Sequence, residues 1–87
     1  MQYYRTITPS LFYTHILDRL NTVEKCNHFI YILKIFTDHS FQLQTELSSL
    51  NLSHLHYMQV LDRNIQDYVQ YVRDIERKKE LLKPRNT

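Results

Sequence analysis

The sequence contains no glycine and no tryptophan, and its prolines are confined to Pro9 and Pro84, near the two ends. Without glycine there is no Gly-rich phosphate-binding loop and no G-x-S-x-G nucleophile motif, which excludes the enzyme classes built on them. Tight β-hairpins also depend on residues that reach positive φ, glycine above all. A long interior without glycine or proline is tolerated best by helices. We therefore expect an all-α fold.

Cysteine and net charge are also sparse. Cys26 has no second cysteine with which to form an internal disulfide, which excludes a disulfide-stapled secreted scaffold. The formal net charge of +2 is too small to indicate a nucleic-acid or membrane partner by itself. We see neither a signal-peptide pattern nor an apolar run near the ~20 residues of a membrane span. We expect an intracellular protein, cytoplasmic or nuclear, without a transmembrane segment.

The most apolar stretch of the chain is residues 29–36, in which Lys34 is the single charged side chain. Wound into a helix, this stretch is apolar on nearly every side and must be covered on all of them. A chain of 87 residues buries only a modest fraction of its surface when it folds. We therefore predict that other chains supply part of the cover. The interface residues predicted here are Phe29, Ile32, Leu33 and Phe36.

The first predicted helix covers residues 9–37. Thr8 and Pro9 make a good start, with threonine as the N-cap and proline at the first helical position. Residues 21–24 also fit a cap with glutamate three positions on, which would split the helix in two. We expect one continuous helix, because a single stripe recurs every three or four residues through this region. The stripe consists of Tyr13, Ile16, Leu20, Val23, Asn27 and Ile30.

A turn is predicted at residues 37–40, where Ser40 can cap a shorter helical segment at residues 41–50. Serine and asparagine then weaken the helix, because their side chains compete for backbone hydrogen bonds. A second break is therefore expected near Asn51, with Ser53 as the cap of the last helix.

The middle of the chain is polar but almost uncharged. Between residues 39 and 61 the one charged side chain is Glu46, although six leucines occur there. The cores of protein interfaces are depleted of charge, so this surface suits a partner. A plain bias towards uncharged polar residues explains it nearly as well. The candidate interface residues here are Leu47 and Leu50.

The last predicted helix, residues 53–82, has the clearest periodicity. Apolar residues alternate at spacings of three and four, which is the pattern of a coiled-coil seam. Lys79 interrupts this seam near its end, Pro84 stops the helix, and residues 84–87 form a tail. The interface residues predicted on the seam are Met58, Leu61, Ile65, Tyr68, Val72 and Ile75.

Together these elements predict one helical interaction domain over residues 1–87, with an extended lead-in at residues 1–8. Two long helices form a hairpin, and partner chains complete its bundle or coiled-coil packing. We favour a different protein over a second copy as that partner.

Candidate reactive groups do not gather into a site. Cys26 with His28, and His54 with His56, are each two residues apart, so their side chains diverge on a helix. Zinc sites on helices use residues three or four apart. Cys26 lies beside the most apolar stretch, where cysteine usually acts as a small buried hydrophobe. We expect no catalytic residue, no metal and no cofactor, and so no enzyme.

The C-terminal end carries the one local excess of basic residues. Acidic residues are interleaved at spacings that support an isolated helix, so a solvated helix end is the favoured interpretation. The alternative is a self-associating hairpin that binds an anionic partner there, either nucleic acid, which is unlikely, or an acidic membrane surface. Its contacts would be Arg77, Lys78, Lys79 and Lys83. The favoured function is a non-catalytic subunit or adaptor of a multi-protein helical assembly.

Overall fold

A computed structural model of the chain describes residues 7–52 and 55–83. This part contains the α-helices α1 (Pro9–Leu11), α2 (Val23–Ser49) and α3 (Leu55–Leu82). α2 and α3 pack against each other as a helical hairpin. No strand occurs in the part of the chain that the structure describes. The all-α prediction is confirmed there, as is the hairpin in outline.

Residues 9–19 form a helical but irregular stretch, which we call the N-terminal segment. α1 continues into a π-helical turn, Phe12–Ile16, and then a 3-10 turn, Leu17–Arg19. A π turn adds one residue to the helical repeat and so shifts the face of the residues after it. Phe12 is buried here, whereas Tyr13, which the predicted stripe contained, is exposed.

The single helix predicted over residues 9–37 is wrong. The chain leaves helical geometry at Leu20, with φ −85° and ψ 70°, and α2 begins at Val23. Thr22 caps the new helix, because its side-chain oxygen accepts a hydrogen bond from the Lys25 N–H at 3.1 Å. A helix start leaves backbone donors without partners, and a threonine cap satisfies one of them. The alternative of a cap within residues 21–24 describes this break.

The turn predicted at residues 37–40 and the separate helical segment at residues 41–50 are also wrong. α2 continues unbroken through residue 49. Ser40 is a buried residue of this helix and caps nothing. The Thr37 hydroxyl donates to the Leu33 carbonyl at 2.8 Å, so this polar side chain is satisfied without leaving helical geometry.

The chain reverses direction later, where the predicted break near Asn51 is confirmed. α3 then begins at Leu55. Ser53, predicted as its cap, lies outside the described residues. The first six residues of the predicted lead-in and the tail at residues 84–87 lie outside them as well.

The core forms where the N-terminal segment meets the hairpin. Phe12 is fully buried and stacks on Tyr71, with ring centroids 4.1 Å apart. The Phe29 ring lies 6.2 Å from Phe12 and is also stacked. The Tyr71 hydroxyl donates to the Ile7 carbonyl at 2.7 Å. The buried apolar residues are Phe12, Leu20, Cys26, Leu33, Leu61, Tyr68, Tyr71 and Ile75.

Two polar contacts also join the N-terminal segment to α3. The Tyr13 hydroxyl donates to the Asp74 carboxylate, and the Lys78 ammonium donates to the Leu17 carbonyl. Partial burial, followed by the hydrogen bond to Asp74 and the charge of that carboxylate, raises the pKa of Tyr13 to about 12. The same contact that positions Tyr13 therefore favours its protonated form.

We expect the free energy of unfolding to fall as the pH rises from 10 towards 12. The ordinary pKa of Tyr13 is 10.0 and its folded value about 12, so the folded chain holds this proton more tightly than the unfolded chain. That contribution is complete below the unfolded pKa and is lost as the pH rises through the folded one. Urea unfolding of Tyr13→Phe over this range should show a shallower decline than the parent.

A second variant, Asp74→Asn, removes the charge that accepts the Tyr13 hydrogen bond. Its decline should also be shallower than that of the parent. An unchanged decline in Tyr13→Phe would contradict the role of the Tyr13–Asp74 contact.

Candidate functional site

The seam predicted on the last helix faces its own chain. Leu61, Tyr68 and Ile75 recur at intervals of seven residues on α3 and are all buried. Leu33, from the apolar stretch of α2, is fully buried in the same core as Tyr68 and Ile75. A coiled coil between this seam and another chain stays a prediction. The half-buried members of the predicted interface are Phe29, Ile32, Phe36, Leu47, Met58, Ile65 and Val72.

The predicted interface residues do not include Phe12 and Tyr71, which make the closest ring contact in the core. Tyr13 fits the spacing of a regular helix and Phe12 does not, because a π turn leaves no periodic signal. Tyr71 did have a signal. It lies three residues after Tyr68 and four before Ile75, which puts the three on one helical face.

The four basic residues of the predicted anionic-partner site all have partners within the chain. Lys78 donates to the Leu17 carbonyl of the N-terminal segment. The others form ion pairs with acidic residues three positions earlier on α3. The pairs are Lys79–Glu76 at 3.0 Å, Lys83–Glu80 at 2.8 Å and Arg77–Asp74 at 3.8 Å.

The candidate metal-binding side chains are dispersed in the part of the chain that the structure describes. Within residues 7–52 and 55–83, no three His, Cys, Asp or Glu side chains are placed to hold a metal ion. None of the described helices is long and apolar enough to cross a membrane. Cys26 is fully buried, with its thiol donating to the Leu20 carbonyl at 3.5 Å. Its predicted place in the core is confirmed.

The end of the hairpin at the α2–α3 turn exposes apolar side chains. Leu50 is 65% exposed and Leu52 is 60% exposed. Leu43 and Leu47, on the same face of α2 as Leu50, are half-buried. We call these four residues the turn-end surface. Of the predicted interface residues, Leu50 is the one that is exposed in the single chain.

Gln44 sets the register of the two helices at this end. Its Nε2 donates to the Asp62 carboxylate at 2.7 Å and to the Met58 carbonyl at 3.5 Å. The contact fixes residues 58–62 of α3 beside Gln44 of α2.

Asn51 shapes the turn beside this surface. Its φ of 60° lies in the left-handed region, which asparagine enters more readily than most residues. The Leu52 N–H donates to the Leu47 carbonyl at 2.7 Å and the Asn51 N–H to the Ser48 carbonyl at 3.1 Å. This paired pattern is the Schellman motif, and it satisfies the last carbonyls of α2. Leu50 and Leu52 thus lie on a hydrogen-bonded turn.

Comparison with protein-family models, with curated proteins and with solved structures gives no match for this chain. A function for it has to be inferred from its own surface.

Asn51 can be tested through its backbone conformation. Asn51→Ala should lower the free energy of unfolding by ~1 kcal/mol, because a Cβ without a compensating polar group is disfavoured at positive φ. Asn51→Gly should lose less, since glycine carries no Cβ penalty there. Urea unfolding measures both. If the alanine variant matched the glycine variant, the left-handed turn would be misplaced.

Proposed function

We propose that the chain is a non-catalytic subunit of a multi-protein helical assembly, in which a different protein binds the turn-end surface. The observation that carries this proposal is the joint exposure of Leu50 and Leu52. At the other end of the hairpin, the N-terminal segment supplies Phe12 to fill the core. At the turn end, a helix from the partner would cover the hairpin in the same way.

The chemistry of the turn-end surface suits a protein partner. Burying a leucine side chain is worth ~1.5–3 kcal/mol, so two exposed leucines offer a substantial driving force. Glu46 is the one charged residue between positions 39 and 61, and interface cores are depleted of charge in this way. The role is that of a scaffold or adaptor, in which the hairpin presents a preformed surface.

An anionic partner at the C-terminal end is the weaker alternative. Lys79 and Lys83 each lie within 3.0 Å of a glutamate, and Lys78 is used to hold the N-terminal segment. An anionic ligand would have to compete with these contacts.

Affinity purification of the tagged full-length chain from its native source tests the proposal. The parent should retain one protein at constant stoichiometry, and Leu50→Asp/Leu52→Asp should lose it, because two carboxylates would be buried without partners. Leu81→Asp is the matched control, since Leu81 is 79% exposed at the far end of α3. It should behave as the parent does.

Circular dichroism and thermal unfolding must first show that the double variant is folded. If the folded double variant retained the same protein at the same stoichiometry, the turn-end surface would not be its binding site.

A further inference from the structure

The side of α2 turned away from the core carries a second regular pattern. The buried residues Cys26, Leu33 and Ser40 follow one line along this helix. Rotated from that line by about 120° lies a row of six exposed residues at alternating spacings of four and three. We call this row the outer stripe. It consists of Asn27, Tyr31, Lys34, Asp38, Phe41 and Thr45.

Two large aromatic rings on this stripe are in water. Tyr31 is 62% exposed and Phe41 is 52% exposed. Ile35, at the edge of the stripe and next to its midpoint, is exposed as well. Apolar area of this kind on a helix face indicates contact with another helix.

The outer stripe is self-complementary about residue 36: residues at equal distances before and after this position are similar or opposite in charge. The innermost pair is a base and an acid, Lys34 and Asp38. The next pair is two aromatic residues, Tyr31 and Phe41, and the outermost pair is two uncharged polar residues. An interface with two-fold symmetry requires one patch to complement itself in this way.

Lys34 and Asp38 are available for this pairing. Within residues 7–52 and 55–83, neither side chain takes part in a hydrogen bond or an ion pair. If two α2 helices lie antiparallel about residue 36, each Lys34 meets the second copy's Asp38. Each Tyr31 then meets the second copy's Phe41, and each Ile35 flanks the contact on one side.

We propose that a second copy of this chain docks on the outer stripe, with the two α2 helices antiparallel and centred on residue 36. The contact is about 27 Å long at the α-helical rise. It also covers the 260 Å³ groove between α2 and α3 that Thr37, Val69 and Val72 line beside Lys34. A pattern that is symmetric about its centre is what a self-complementary contact requires, which favours a second copy as the occupant.

This contact is separate from the turn-end surface, because the two share no residue. The protein could therefore be a dimer and also bind a different protein at each turn end. Loss of one contact does not remove the other, so the two proposals can fail independently.

A charge exchange tests the pairing directly. Lys34→Glu places two acids opposite each other at each central layer, and Asp38→Lys places two bases there. Like charges face to face cost several kcal/mol, so each variant alone should weaken the dimer ~100-fold or more. An equimolar mixture restores an acid opposite a base in both layers and should dimerise as the parent does.

Sedimentation equilibrium of the full-length chain over a micromolar concentration series measures this, with Arg63→Glu as a control on an exposed residue of α3. The control should dimerise normally. A parent that stays monomeric throughout would overturn the proposal. So would two variants that dimerise separately, or a mixture that does not recover.

A cross-link measures the antiparallel register independently. An equimolar mixture of Lys34→Cys and Asp38→Cys places one thiol of each copy opposite the other, and under oxidised glutathione they should form an intermolecular disulfide. The native Cys26 is fully buried and should not take part. In Glu46→Cys the two thiols would lie about 30 Å apart along the helices, so it should not cross-link. Equal cross-linking of the mixture and of Glu46→Cys would contradict the register.

Discussion

The rest of the structure depends on the insertion of Phe12 between the two long helices. Its ring stacks on Tyr71 of α3 and on Phe29 of α2, and none of its surface remains in water. In a hairpin of two helices, each helix covers only one face of the other, and the edges of their contact remain open to water. The break at residues 20–22 allows the preceding segment to fold back and supply that missing ring. At this end of the hairpin, the N-terminal segment, α2 and α3 therefore share one core.

This arrangement divides the hairpin into two halves with different properties. The half that holds Phe12 is also joined by the Tyr13–Asp74 and Lys78–Leu17 contacts. The half at the turn has the Gln44 contact across the helices and leaves Leu50 and Leu52 in water. Buried contacts resist local opening, and regions with few of them are the ones that adapt to partners. The proposed partner surface therefore lies on the half that its own chain covers least.

Composition predicted the helical class, capping chemistry the start at Thr8, and serine and asparagine the break near Asn51. Periodicity predicted the buried line of α3. The continuous helix that periodicity predicted is broken at Leu20. A new helix capped by Thr22 competes there with continuation of the first one, and the cap offsets the loss of helical hydrogen bonds. Turn-forming residue types misled at residues 37–40, because hydroxyl groups can be satisfied inside a helix by the preceding carbonyls. The burial of Phe12 could not be predicted from the sequence, because a π turn gives no regular spacing by which to recognise it. The leucines of the turn could be predicted as a candidate surface, because the absence of charge around them is visible in the sequence.

Amide hydrogen exchange of the Phe12→Ala variant tests most directly whether this ring holds the hairpin together. Removing a buried phenylalanine costs ~3–5 kcal/mol, so exchange should accelerate around Leu33 of α2 and Ile75 of α3. Leu11→Ala, which truncates an exposed neighbour, should leave both regions protected as in the parent. Protection in Phe12→Ala equal to that in Leu11→Ala would contradict this role of Phe12, because the hairpin would then be stable without its inserted ring.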